Sequence, residues 1–119
     1  MKFPLQLRFK ILAFAPQMYV VDASGANGRD PARDLELVRD EVRRYLPELL
    51  ERPQLVAATK QDAAATPDAL ASLRRAAEPL GLEVVPVSAV TGDGLVALKR
   101  RLLGLLAAAK VADAALERA

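Results

Sequence analysis

From residue 18 onward the chain repeats one pattern three times: a short apolar run, a polar turn, and then apolar residues at helical spacing. The first run, 18–21, ends at Asp22 and is followed by the turn-rich string Ser24-Gly25-Ala26-Asn27-Gly28. Asp30-Pro31 then reads as an N-cap with proline at the first helical position. Leu35, Val38, Val42, Tyr45 and Leu46 recur at intervals of three and four, predicting a helix over 31–46 that ends before Pro47. The second run, 55–58, leads to Thr66-Pro67-Asp68, where the cap signature returns. Leu70, Leu73 and Ala77 then form a stripe on a helix over 66–79, with Gly81 suited to its end. The third run, 83–87, precedes a helix from Asp93, over 93–110, with Leu95, Leu98, Leu102, Leu105 and Leu106 on one face.

Strand followed by helix, with crossovers of about thirty residues, implies a parallel sheet with right-handed connections. That handedness puts the helices over 31–46 and 66–79 on one sheet face and the helix over 93–110 on the other. The expected fold is α/β, three parallel strands with flanking helices. The segment 5–11 differs. Leu5, Leu7, Phe9 and Ile11 alternate with Gln6, Arg8 and Lys10, a period of two that suits an edge strand with one wet face. It is expected to lie antiparallel to 18–22 through a turn at Ala15-Pro16-Gln17. If it does not, the apolar strand over 18–22 keeps an open edge, which is a route to self-association.

Composition narrows the chemistry. A chain of 119 residues makes one small domain, with 52% hydrophobic and only 4% aromatic residues, so its core is aliphatic. Seventeen basic and fifteen acidic residues leave a net charge of +2, too little to argue for nucleic acid or an anionic membrane as partner. The pairs Arg43-Arg44 and Arg74-Arg75 and the triplet Lys99-Arg100-Arg101 read as solvated helix faces. Cysteine and histidine are both absent, which removes disulfides, thiol catalysis and the commonest general base and metal ligand. No apolar stretch approaches the roughly 20 residues of a membrane span. A soluble, cytoplasmic protein with no metal site and no catalytic residues of its own is expected.

Two strand ends carry candidate chemistry. Thr59-Lys60-Gln61-Asp62 follows the second strand, and Ser88-Ala89 follows the third, where parallel sheets place their ligand loops. A carboxylate such as that of Asp62 can accept both donors on the guanine edge, N1–H and the exocyclic amine. Adenine lacks that pair and would leave the acceptors unpaired. The stem of Lys60 can lie over a base plane, and the hydroxyl of Thr59 can tie its loop to a neighbour. Ala89 is small enough to let backbone N–H groups approach a base carbonyl. The alternatives stay open at this point: a surface turn after a strand uses the same residue types, and Ser88, Thr91 or Asp93 can serve as a helix cap.

Three further strings, Val21-Asp22-Ala23-Ser24-Gly25, Gly28-Arg29-Asp30-Pro31 and Glu48-Leu49-Leu50-Glu51-Arg52-Pro53-Gln54, resemble the second half of the GTPase domain of Obg proteins, as does Ser88-Ala89-Val90-Thr91-Gly92-Asp93-Gly94. The resemblance runs from about Tyr19 to Leu106. It implies half of a P-loop-NTPase-type three-layer sandwich, with GTP or GDP recognised at the base by Thr59, Lys60, Asp62, Ser88, Ala89 and Val90. It also implies magnesium in the complete family domain and the ribosomal large subunit as partner, a role in ribosome assembly. Thr59 stands where the family's Asn-Lys-x-Asp has Asn, a change that Rho-type GTPases also carry.

The departures bear on activity. The lysines follow Met1, Phe9, Thr59, Leu98 and Ala109, so the Gly-Lys dipeptide of a phosphate loop does not occur. Asp22-Ala23-Ser24-Gly25 matches Asp-x-x-Gly, but in the resemblance it follows the fourth strand, past the magnesium loop. Gly92-Asp93-Gly94 begins like a dinucleotide fingerprint and does not continue as one. The expected organisation is a non-family segment over 1–17, a half-domain over 18–110 and a helical or frayed tail over 111–119. The first segment reads as the substituted start of a truncated or frameshifted reading frame. Nucleotide binding by this chain is expected to be weak, with catalysis absent. The alternative reading is a non-catalytic protein-interaction module or truncated pseudo-GTPase that binds no nucleotide.

Overall fold

The computed structural model describes residues 16–118, with side chains to residue 108; the edge strand expected over 5–11 lies outside the described residues. Three strands, β1 (Gln17–Asp22), β2 (Gln54–Thr59) and β3 (Glu83–Pro86), form a parallel sheet in the order β1-β2-β3. Met18 pairs with Leu55 and Asp22 with Thr59, while Leu55 pairs with Glu83 and Ala58 with Pro86. The ladder runs on past β3, where the Val87 N–H donates to the Ala58 carbonyl at 2.8 Å. This continuation aligns the ends of β2 and β3, and it is there that the two candidate loops begin.

Helix α1 (Pro31–Tyr45) starts as its sequence dictates, with Asp30 accepting from the Ala32 N–H at 3.1 Å and proline in the first turn. It ends one residue before the expected boundary and passes into a 3₁₀ turn at Pro47–Glu51. Helix α2 (Asp68–Ala77) is shorter than the 66–79 expected. Pro79 has no N–H to donate one turn back, so the chain tightens into a 3₁₀ turn at Glu78–Leu80 and leaves through Gly81 in the left-handed conformation. Helix α3 (Leu95–Arg118) begins two residues later than expected and continues through the segment read as a tail. Gly92 and Gly94, with φ of 83° and 80°, hold the preceding turn out of helical geometry.

The core is divided by the sheet. On one face Tyr19, Val21, Val56 and Ala58 pack with Leu35 of α1 and with Leu73 and Ala77 of α2. On the other, Leu55, Val85 and Val87 meet Leu98, Leu102 and Leu105 of α3. The helices thus take the sheet faces expected of right-handed crossovers.

Part of the expected apolar stripe is not buried. Val38, Tyr45, Leu46 and Leu95 are exposed, Tyr45 to 78%. Beside the outer edge of β1, Val20, Leu37 and Val38 stay open to solvent in a cleft of about 490 Å³. The basic clusters lie on solvated helix faces; Arg43 and Arg44 pair with Asp40, and Arg101 with Glu83.

Candidate functional site

Three strand-end segments meet at the carboxyl edge of the sheet. At the end of β2, Thr59 donates its hydroxyl to the Val21 carbonyl at 3.3 Å, tying β2 to β1. Lys60 follows in the left-handed region with φ of 58°, and it is the one non-glycine residue so placed among the described residues. A non-glycine residue held there is uncommon and marks a turn fixed by its surroundings. The Lys60 ammonium lies 3.4 Å from the Asp22 carboxylate, while 68% of its side chain remains exposed.

Gln61 braces the turn from beneath. Its side-chain amide donates to the Ala23 carbonyl at 3.1 Å and the Thr59 carbonyl at 3.2 Å, and its backbone N–H donates to Val87. It occupies the variable position of Lys-x-Asp, and no periodicity or motif singles it out.

Asp62 comes next, in a short 3₁₀ turn, and is exposed. Ser88, on the neighbouring strand end, is buried and donates its hydroxyl to one Asp62 oxygen at 2.7 Å. The same hydroxyl oxygen accepts from the Thr91 N–H at 3.1 Å. Ser88 is therefore a bridge. It caps its own loop and fixes the rotation of the Asp62 carboxylate, leaving the second carboxylate oxygen without a hydrogen-bond partner among the described residues.

The loop from Ser88 to Gly94 is closed on itself. The Ser88 N–H donates to Asp93 and the Gly92 N–H to Ser88. The N–H groups of Ala89 and Val90 make no hydrogen bond among the described residues, and both residues are exposed at the loop tip. Gly94 is required by geometry as well as by φ: a Cβ there would overlap the Pro86 carbonyl oxygen. The backbone donors at Ala89 and Val90 and one carboxylate oxygen at Asp62 thus have no partner among the described residues, on loops that the Ser88–Asp62 bond joins. That is the complement of a planar ring edge bearing a carbonyl and adjacent N–H groups.

Asp22, set aside above as a false match to a magnesium loop, has a structural role that its sequence position did not reveal. One of its oxygens accepts from the Ser24 N–H at 3.0 Å and from the Ser24 hydroxyl at 2.8 Å, and the other from Asn27 at 3.3 Å. The Ser24 backbone N–H, with help from the Ser24 hydroxyl and Lys60, holds the Asp22 carboxyl below its ordinary pKa, against the opposing effect of partial burial. The Asp-x-Ser spacing is the local signal that could have identified it, as a turn in which the Asp side chain accepts from the backbone two residues on. A groove of about 690 Å³ between α1 and α2, lined by charged residues such as Asp30, Arg33, Glu36 and Arg43, lies away from all these groups.

A parallel sheet with helices on both faces and strand-end loops of this kind defines half of a P-loop-GTPase-type α/β domain. A solved structure of nucleolar GTP-binding protein 1 from Plasmodium falciparum aligns with 98% of this chain and 62% of its own, with a TM-score of 0.60 at 13% identity. That similarity concerns the fold. No protein-family model matches the sequence.

Curated relatives are closer. The GTPase Obg of Desulforudis audaxviator is 47% identical over 91 residues, covering 75% of this chain and 21% of the relative. That of Acetivibrio thermocellus is 44% identical over 78 residues, covering 66% and 18%. That of Caldicellulosiruptor saccharolyticus is 39% identical over 99 residues, covering 81% and 22%. Over two thirds to four fifths of its length the chain is thus similar to GTPases of the Obg family, and it spans about a fifth of the length of the relatives it matches. No helix among the described residues is long and apolar enough to cross a membrane.

Proposed function

We propose that this chain is the base-recognising portion of an Obg-type ribosome-assembly GTPase and that Asp62 reads guanine. The observation that carries the reading is the 2.7 Å bond from Ser88 to Asp62, which joins the two strand ends and leaves one carboxylate oxygen open. In this reading Asp62 accepts from N1–H and the exocyclic amine of guanine, and the Ala89 and Val90 N–H groups donate to the ring carbonyl. Thr59 and Lys60 hold the turn in place, Lys60 with its ammonium on Asp22 and its stem available to the base face. Adenine, lacking both donors, leaves the carboxylate unpaired, and such a mismatch discriminates more strongly than a change in apolar contact.

Catalysis is assigned to no residue here. Phosphoryl transfer depends on a phosphate-cradling loop and magnesium, and both are assigned to the complete family domain. Ribosomal large-subunit binding and a cytoplasmic setting are part of this proposal and are assigned to the whole protein. Calorimetric titration tests the reading. Guanosine, GDP and GTP should bind weakly and alike, and adenosine should not bind. A triphosphate binding far more tightly than guanosine would contradict it.

The open edge of β1 supports a second reading, an interaction module. Val20 is 60% exposed on a strand with no outer partner among the described residues, beside exposed Leu37 and Val38. Concentration-dependent association that Val20→Lys abolishes and guanosine leaves unchanged would favour this alternative.

A further inference from the structure

Gln61 is bonded to all three strand exits. Its backbone N–H donates at 3.2 Å to the carbonyl of Val87, the residue after β3. Its side-chain amide donates at 3.2 Å to the carbonyl of Thr59, the last residue of β2, and at 3.1 Å to that of Ala23, the residue after β1. Its own carbonyl accepts from the Ala64 N–H at 3.2 Å. Both amide donors are therefore spent inside the molecule, on carbonyls of two different strand ends.

The residues on either side of Gln61 are the ones assigned to the base. Lys60 before it is held at φ 58°, and Asp62 after it carries the open oxygen. A lysine stays in the left-handed region only where its surroundings over-determine the turn. Two successive bonds join this turn to the loop after β3: Gln61 to Val87 through the backbone, then Ser88 to Asp62 through side chains at 2.7 Å. The backbone bond fixes the spacing of the two loops, but one bond sets a distance and not an orientation. The Gln61 amide supplies the orientation by anchoring the turn to β1 and β2 as well. A neutral amide with two N–H donors suits a place that faces two carbonyl oxygens, and a carboxylate of the same shape would oppose them.

We propose that Gln61 is the positioning residue of the base site. Its amide fixes the direction in which Asp62 presents the open oxygen, and so sets the preference for the exocyclic amine of guanine. The inference rests on the reading of Asp62 as the guanine-recognising residue, and Gln61 acts through Asp62. A role confined to holding the sheet together has a different consequence. It would lower stability and leave the preference of the folded chain intact.

The test compares guanosine with inosine, which keeps the ring N–H and lacks the exocyclic amine, by calorimetric titration of the full 119-residue chain and two variants. Gln61→Met keeps the stem and loses both donors, and Gln61→Glu keeps the shape and reverses them. Both leave the backbone bond to Val87 in place. The parent should prefer guanosine by about tenfold or more, the worth of one hydrogen bond to a charged group. In both variants, shown by thermal unfolding to be folded at the titration temperature, that preference should shrink by about threefold or more. Folded variants that keep the preference of the parent would overturn the proposal and leave the base reading standing. Variants that do not fold at all would also overturn it, since Gln61 would then be a residue of the fold alone. A parent that binds guanosine and inosine alike would overturn the base reading and this inference with it.

Discussion

Two carboxylates stand at neighbouring strand ends, and their surroundings have opposite consequences. Asp22 has both oxygens occupied by its own chain, with Ser24, Asn27 and Lys60 around it. Asp62 is held through one oxygen by Ser88 and presents the other to solvent. Judged by short motifs, the two would rank together, since Asp22 matches Asp-x-x-Gly as well as Asp62 matches Lys-x-Asp. What separates them is residual hydrogen-bonding capacity. A saturated carboxylate fixes a loop, and a half-saturated one, oriented but open, is available to a ligand.

The comparison depends first on the loop that carries Ser88. Gly94→Ala should be the most damaging single change. A side chain at φ 80° costs about 1–3 kcal/mol from backbone strain alone, and the overlap with Pro86 adds to it. Thermal unfolding should show the loss, and a variant as stable as the parent would mean that the loop rearranges freely and cannot fix Asp62.

Next, Asp22→Ala, which loses several hydrogen bonds to a charged group, should destabilise the chain by about 1.5–3 kcal/mol, whereas Asp62→Ala, which loses the single bond from Ser88, should cost less, about 1 kcal/mol. Denaturant titration of the two variants side by side checks this, and equal losses would erase the distinction drawn here. Ser88→Ala should cost about 1 kcal/mol in stability while weakening guanosine binding, because it frees the carboxylate it had oriented. Unchanged affinity in that variant would remove Ser88 from the account.

The smallest effect is the pH dependence. The pKa of Asp22 is lowered in the folded state, so its unfolded chain binds the proton more readily. Its contribution is complete above the unfolded value of about 3.9 and fades as the pH falls through the lower folded value. Stability measured below pH 4 should therefore fall less steeply in Asp22→Asn than in the parent.

The order of strands and helices, and the side of the sheet each helix takes, were legible because period and handedness are local properties. The helix ends were less so. Proline at position 79 and the two positive-φ glycines at 92 and 94 cut elements that apolar spacing alone would extend. The stripe on α1 could not reveal that Val38 and Tyr45 stay exposed, since a stripe records which face is apolar and not what covers it. At the candidate site, placing Asp62 and Ser88 on consecutive strand ends was enough to anticipate their meeting. The bracing by Gln61 and the Lys60–Asp22 pair depend on cross-strand side-chain reach, which no spacing rule encodes.

The central claim, that the open oxygen of Asp62 reads the guanine edge, is tested most directly by Asp62→Asn with guanosine and xanthosine as paired ligands in calorimetric titration. The carboxylate accepts from the guanine amine, whereas the new amide can donate to the carbonyl that xanthine carries at the same position. The account predicts that the parent prefers guanosine and that the variant loses this preference and gains one for xanthosine, with melting temperature unchanged. A variant that binds guanosine as well as the parent does would contradict the claim.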